Sequence, residues 1–485
     1  MATSKVNNTG ITKINPKLPV KFCIGLLYSH LIKKVWGKIM AKFLVLGTGF
    51  VVEPLLEYLQ RRQGNQITIA GYLLSDAQKT TDKFNNILPI QLDVTNQEKL
   101  MQTIKGYDVV VSLVPASFHP LIAEVCIQHK VHMLTASYQS PQMLALAQKA
   151  KDAGIIILNE MGLDPGLDHL SAMQIIDKAH ANEDQIESFV SWCGGIPAPD
   201  DNDNPLSYKF SWEPRGAIMV LSNDAIYQHN SKVVKVAGEN LMQWSQPINI
   251  KNLALECYPN RDSASYKEIY GIETVKDILR GTLRYEGFCH IMQAIKTLEL
   301  MRTTNRKMPK NIKWKEHVLS LNKTDNLDEL KNKISTKAFN AINWLGCFSD
   351  QPIASNKDNS MDVLCELLLQ KLAYKPHEKD MVILQHKFVI KKADGSRQFI
   401  TSTLKQIGES NGYSGMAKTV GYPAAVASQM IADNKIKAKG LLLPVSKEIY
   451  QPILQSLQLE GINFTEVTLS DKQTSTQEFL AELYF

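Results

Sequence analysis

The stretch that most constrains this chain is Lys42-Phe43-Leu44-Val45-Leu46-Gly47-Thr48-Gly49-Phe50-Val51-Val52: a short apolar run, two glycines one residue apart, then more apolar residues. Such a run suits a buried parallel strand, and Gly47 and Gly49 let the chain turn sharply beneath a pyrophosphate. A helix beyond the turn offers unpaired N–H groups and a positive dipole end to phosphate. Val52 stands where the generic fingerprint has its third glycine, so the G-x-G spacing by itself fits an ordinary strand–turn–helix equally well.

The next hundred residues repeat this rhythm. Apolar runs at 66–70, 88–92, 107–114, 131–135 and 155–158 read as strands, with helical patterns at 119–129 and 141–153 between them. Strands alternating with helices of this length imply βαβ units and a mostly parallel sheet. Ligands then sit at the carboxyl ends of the strands, where Gly47, Pro115 and the Thr135-Ala136-Ser137-Tyr138 turn fall. After Gly166 the rhythm changes. Residues 186–193, 217–221, 233–236 and 253–258 read as strands, and 274–372 as mostly helical. Residues 381–390 and 396–404 flank Ala393-Asp394-Gly395, a hairpin signal, and an alanine-rich helix comes after Gly421-Tyr422-Pro423.

A length of 485 residues exceeds what one core usually covers, so two or three domains are expected. No run of about 18 apolar residues marks a membrane span. The seven cysteines are scattered without a C-x-x-C pair, which points to a reducing compartment and away from disulfides or structural zinc. His119, His169 and Cys193 likewise show no metal-ligand spacing, and no metal is expected. Residues 1–39 hold Lys5, Lys13, Lys17, Lys21, Lys33, Lys34 and Lys38 with no Asp, Glu or Arg; removing those charges from the net +6 leaves about −1 for the rest. A near-neutral body offers no nucleic-acid footprint. The extension itself reads as a dispensable segment, a targeting peptide or a tail for an acidic partner.

Longer strings are more specific. In order they are Ser112-Leu113-Val114-Pro115 with His119-Pro120; Thr135-Ala136-Ser137-Tyr138; Asn159-Glu160-Met161-Gly162-Leu163-Asp164-Pro165-Gly166-Leu167-Asp168-His169; and Trp192-Cys193-Gly194-Gly195-Ile196-Pro197-Ala198-Pro199. Then come Tyr208-Lys209-Phe210-Ser211-Trp212, Tyr258-Pro259-Asn260-Arg261-Asp262-Ser263 and Arg280-Gly281-Thr282-Leu283-Arg284-Tyr285. Together they resemble the saccharopine reductase family, the glutamate-forming saccharopine dehydrogenases of the α-aminoadipate route to lysine, over roughly residues 40–460.

The resemblance implies an α/β fold: a Rossmann-type doubly wound parallel sheet, an inserted mixed α/β substrate and dimerisation domain, and a small helical domain. The implied bounds are 1–39 for the extension, 40–165 for the Rossmann domain, 166–273 for the α/β domain, 274–375 for the helical insert, 376–415 for return strands and 416–485 for a return to the Rossmann domain. It implies a cytoplasmic homodimer that condenses L-glutamate with α-aminoadipate semialdehyde and reduces the imine with NADPH to saccharopine. Cofactor contacts are implied for Gly47, Gly49, Phe50, Val51, Tyr72, Asp93, Ser112, Leu113, Val114, His119 and Ser137. Proton-moving roles are implied for Tyr138, Asp164 and Cys193, and substrate contacts for Asp164, Trp212, Arg261 and Thr282.

Elementary chemistry gives these assignments competitors. A substrate with three carboxylates calls for fixed cations, and the planar arginine fork suits a carboxylate. Arg261 is the leading candidate, with Arg215, Arg280 and Arg284 behind it. Asp164 before a proline is also a common turn former, and Asp168 equally suits a helix N-cap. Most free cysteines are plain buried side chains, and Trp212 equally suits core packing. One departure bears on the cofactor: Tyr72 ends the second strand where NADP-dependent members commonly carry arginine, so NAD(H) stays open beside NADP(H). Two other readings compete, a carboxyspermidine-type dehydrogenase, which calls for an acidic pocket, and a non-catalytic nucleotide sensor.

Overall fold

A computed structural model describes residues 40–305, 309 and 311–484, so the basic extension lies outside the described residues. The first sheet takes β1 (Lys42–Leu46), β2 (Gln66–Gly71), β3 (Ile87–Gln91), β4 (Val109–Ser112), β5 (His132–Thr135) and β6 (Ile156–Leu158). A later strand, Gly440–Leu442, joins β6 at the edge, and every pairing in this sheet is parallel. The order runs from Gly440–Leu442 through β6, β5 and β4 to β1, then β2 and β3. Sequence order therefore reverses at β1 and β4, and the crevice above their carboxyl ends is the topological switch point. Both faces of β1 are covered, with Phe43 and Val45 in one apolar core and Leu44 and Leu46 in another. That is why the strand reads as a continuous apolar run rather than an alternating one.

The second sheet takes β7 (Gln185–Pro197), β8 (Ala225–His229), β9 (Lys232–Val236), β10 (Gln246–Ile250), β11 (Leu253–Pro259), β12 (Asp277–Tyr285), β13 (Asp380–Lys391) and β14 (Arg397–Ile407). With the first-sheet edge strand counted as β15 (Gly440–Leu442), β16 (Phe464–Ser470) completes the second sheet by pairing antiparallel to β14. The helices Glu53–Gln60, Leu167–Ala181, Gly415–Ala432 and Lys447–Leu459 put side chains into one core shared with β1 on one side and with Phe189 and Phe388 of the second sheet on the other. The opposite face of the second sheet packs on the helices between Phe288 and Lys371.

Several elements differ from the sequence reading. The segment 217–221 is not a strand: helix Pro214–Met219 runs into a turn over Val220–Ser222, because Pro214 presets the first turn and the Glu213 carboxylate accepts the Arg215 N–H at 2.9 Å. The helical insert expected from 274 begins only after β12, a central strand paired parallel to β7 with Thr282 opposite Cys193. The alanine-rich helix starts earlier, at Gly415, where the Asp380 carboxylate accepts the Gly415 and Met416 N–H groups at 2.5 and 2.8 Å. The expected return of 416–485 to the first sheet is divided: β15 joins it, but β16 sits on the second sheet, and Leu480 and Leu483 are buried against that sheet's outer core.

Candidate active site

At the switch point the backbone supplies the surface. Gly47 turns the chain with φ +113°, and a Cβ there would meet the Leu113 carbonyl oxygen at 2.9 Å. A Cβ at Gly49 would meet nothing within 4 Å, so this glycine leaves open space above the turn. The helix Glu53–Gln60 has no side-chain cap bond, and its first-turn carboxylate, Glu53, is neutralised by Lys83 at 2.9 Å. A tight turn, open room and an uncapped helix start fit a dinucleotide pyrophosphate.

The expected cofactor residues separate into two groups. Val51 is half-buried, Phe50 and Tyr72 are exposed, and Leu113 and Val114 approach Gly47 through their backbone. Asp93 is half-buried, and one of its oxygens accepts both the N–H and the hydroxyl of Thr95. Ser112 and His119 are instead sealed below. His119 hydrogen-bonds with Ser112 Oγ at 3.1 Å through Nδ1, and with Ser137 Oγ at 2.9 Å and Thr135 Oγ1 at 3.0 Å through Nε2. Burial lowers the His119 pKa to about 4, so this knot braces the Ser137-Tyr138 turn with a neutral ring.

Past that turn the character changes to buried charge. Gly166, at φ +145°, presses against Gly162, where any Cβ would overlap backbone, and the tight loop holds Asp164 between them. The Asp164–Pro165 peptide is cis. Asp164 does not cap its own turn: its Oδ1 accepts the Tyr138 hydroxyl at 2.8 Å and an Arg280 N–H at 2.8 Å. Arg280 also donates to Asp168, whose other oxygen accepts the Gly166 N–H at 2.6 Å. Asp168 is thus inside helix Leu167–Ala181, and Gly166 takes the N-cap position expected for it.

The two carboxyls are pushed apart. Burial, and after it the charge of Asp168, raise the Asp164 pKa. Burial would also raise Asp168, but the Arg280 guanidinium above all, helped by the Gly166 N–H, holds its carboxyl below the ordinary range. Two carboxyls whose surroundings drive their pKa values in opposite directions are the arrangement of a general acid with an electrostatic partner. Tyr138 has two guanidiniums near its ring, Arg261 at 4.8 Å and Arg280 at 5.6 Å from the centroid.

Among the described residues, Arg261 and Arg284 pair with no carboxylate. Arg261 is exposed, at φ +53° on the loop after β11. Arg284 is only 4 % exposed, lies 5.1 Å over Tyr208, and donates to the Leu283 carbonyl oxygen. Strand alternation puts Arg280, Thr282 and Arg284 on one face of β12. Trp212 is half-buried against both cores flanking the second sheet. Cys193 is buried, and burial and then Asp164 and Asp168 push its thiol well above the usual range, opposite to what a base or nucleophile needs. Arg215 leaves the group: it is a surface residue paired with Asp362 at 2.7 Å. Sequence reasoning missed Glu160, Tyr266 and the central role of Arg280; a signal for Arg280 was the alternation of polar residues along β12. Among the described residues no cluster of His, Cys, Asp and Glu is placed to hold a metal ion. None of the described helices is long and apolar enough to cross a membrane.

A parallel sheet with an open glycine turn, whose later loops carry a phenol–carboxyl pair completed by Arg280 of a second sheet, is the architecture of a Rossmann-type oxidoreductase. The comparisons agree: residues 43–158 match the family model of the saccharopine dehydrogenase NADP-binding domain, and 162–462 that of the saccharopine dehydrogenase C-terminal domain. The chain belongs to the saccharopine dehydrogenase family. It is 38% identical over 451 residues to the saccharopine dehydrogenase (NADP(+), L-glutamate-forming) of Schizosaccharomyces pombe, covering 89% of this chain and 100% of that one. Against the enzyme of the same name from Saccharomyces cerevisiae it is 40% identical, covering 88% and 99%. It is 42% identical to the mitochondrial alpha-aminoadipic semialdehyde synthase of Bos taurus over 87% of this chain but 47% of that protein. The solved apo saccharopine dehydrogenase (L-Glu forming) from Saccharomyces cerevisiae matches with a TM-score of 0.80 at 38% identity, over 88% of this chain and 100% of that one.

Proposed function

We propose that the chain is a glutamate-forming saccharopine dehydrogenase: it joins the amine of L-glutamate to the aldehyde of α-aminoadipate semialdehyde and reduces the resulting imine to saccharopine, reversibly. The observation that carries this reading is Asp164, a carboxyl 11 % exposed and held between the Tyr138 phenol and Arg280, with two carboxylate-free guanidiniums, Arg261 and Arg284, in the surrounding set. Glutamate, semialdehyde and product are rich in carboxylates, and guanidiniums bind these through paired charge-assisted hydrogen bonds. An amine-rich polyamine would meet cations there instead, which disfavours the carboxyspermidine-type alternative.

Gly47, Gly49 and the start of helix Glu53–Gln60 would hold a nicotinamide dinucleotide, which when bound supplies the hydride. Asp164 does the proton work. With its pKa raised, it delivers a proton to the hydroxyl of the carbinolamine so that water leaves, and it recovers one from the amine nitrogen. Tyr138 fixes the orientation of that carboxyl through its hydroxyl, and Arg280 keeps Asp168 ionised behind it. Arg261 and Arg284 hold substrate carboxylates, Trp212 and Thr282 line the cleft, and Cys193 stays a neutral thiol.

The name of the matched domain and those of the fungal relatives favour NADP(H), whereas Tyr72, 72% exposed at the end of β2, brings neither the arginine of an NADP site nor the acid of an NAD site. The reading also carries a homodimer in a reducing, cytoplasmic setting; six described cysteines are free and buried, in keeping with it. The test monitors reduced-nicotinamide absorbance with L-glutamate and the semialdehyde, NADPH against NADH. Turnover that requires both substrates is expected; its absence with either nucleotide overturns the reading.

A further inference from the structure

Residues 159–161 fall between the two matched segments, and the middle one, Glu160, is buried with a left-handed backbone, φ +58°. Its contacts reach both halves of the molecule. On the first-sheet side its N–H donates to the Ser137 carbonyl oxygen at 3.1 Å, and its Oε1 accepts the Gln139 N–H at 3.0 Å. Tyr138 is therefore gripped on either side by one residue. On the second-sheet side its Oε2 accepts the Tyr266 hydroxyl at 2.9 Å and meets His169 Nε2 at 2.8 Å. His169 is fixed in turn by Tyr270, whose hydroxyl lies 2.6 Å from Nδ1. The Tyr266 ring lies flat beneath Arg280, with the guanidinium 4.2 Å from its centroid.

We infer that Glu160 is a positioning residue: one buried carboxylate sets both the loop that carries Tyr138 and the ring on which Arg280 lies, and so fixes how Asp164 meets the two of them. The inference rests on the proposed reaction. Glu160 is distinct from the proton-moving group by its partners: its hydrogen bonds go to Ser137, Gln139, Tyr266 and His169, while those of Asp164 go to Tyr138 and Arg280. Both the Tyr138 hydrogen bond and the Arg280 charge lower the Asp164 pKa, so loosening them raises it.

Two variants test this. Glu160→Gln keeps an acceptor for Gln139 but turns an amide toward Tyr266 and His169. Tyr266→Phe removes only the hydroxyl and keeps the ring under Arg280. Each is measured for melting temperature, NADPH affinity by fluorescence, and kcat and KM across pH, with the unsubstituted chain first. The expected result is unchanged NADPH affinity, kcat lower by roughly 10- to 100-fold in Glu160→Gln and about threefold or more in Tyr266→Phe, and the pH limb of kcat moved upward in both. Tyr266→Phe with kcat within about twofold and an unmoved limb overturns the inference, and decides it alone if Glu160→Gln does not fold. Losses of kcat and NADPH affinity in parallel also overturn it, since they report general damage. An unsubstituted chain that binds NADPH but shows no turnover overturns the proposed reaction instead.

Discussion

The two ends of the site are built from different materials. The proposed cofactor end is backbone and empty space: Gly47 turns beneath Leu113, Gly49 leaves a gap, and the nearby charged pair is neutral. The substrate end is side-chain charge held out of water, where Asp164, Asp168 and Arg280 meet from segments more than a hundred residues apart. The first can be assembled by local chain geometry and tolerates exposure. The second exists only if packing brings the partners together, because a buried charge that loses its partner is strongly destabilising.

The largest effect expected to separate the two ends is that of Asp164→Asn. On the proposed mechanism it removes the proton carrier but no cofactor contact, so kcat should fall by about 100-fold or more with NADPH affinity unchanged in a fluorescence titration. A parallel loss of affinity would erase the distinction. Within the cofactor end, Gly47→Ala and Gly49→Ala should diverge. The first forces a Cβ against Leu113 at positive φ and should lower stability by about 1–3 kcal/mol in a denaturant melt, whereas the second should leave the melt unchanged and weaken only nucleotide binding.

Arg261→Ala should raise the KM for an amino-acid substrate by about tenfold, near 1.4 kcal/mol, while the NADPH KM stays constant; an unmoved substrate KM removes this residue from the cleft. Smaller still is the response to acid. His119 beneath the cofactor end and His386 behind the substrate end both have folded pKa values lowered to about 4 by burial, below the unfolded value of 6.5. The unfolded chain therefore binds more protons between those values, and stability present above pH 6.5 is lost as the pH falls toward 4. His119→Gln should flatten that slope by on the order of 1 kcal/mol, read as melting temperature against pH. Last, Tyr72→Arg should shift the NADPH-to-NADH ratio of kcat/KM severalfold toward NADPH without touching the glutamate KM.

The same contrast explains what was legible. The first six strands arise from apolar runs whose partners lie one βαβ unit away, and they fall within a few residues of the expected positions. β12 was hidden in a stretch read as helical, although its polar side chains alternate at Arg280, Thr282 and Arg284; alternation marks a strand only once a neighbour such as β7 pairs with it. Tyr138, Asp164 and Arg261 were singled out from local strings and lie together in the structure. Arg280 stands behind Arg261 on sequence grounds, since nothing near it in the chain shows that two aspartates more than a hundred residues away converge on it.

By itself the sequence determined where the chain turns sharply at Gly47 after β1, because a glycine's backbone freedom and a strand's apolar run are local properties. It also determined the cast of ionisable residues. Which carboxyl is pushed up and which down, which guanidinium is already taken and which residue grips Tyr138 were decided by the tertiary structure alone. Those are matters of distance and desolvation, and both come into being only when β12 and helix Leu167–Ala181 close on the loop of Asp164.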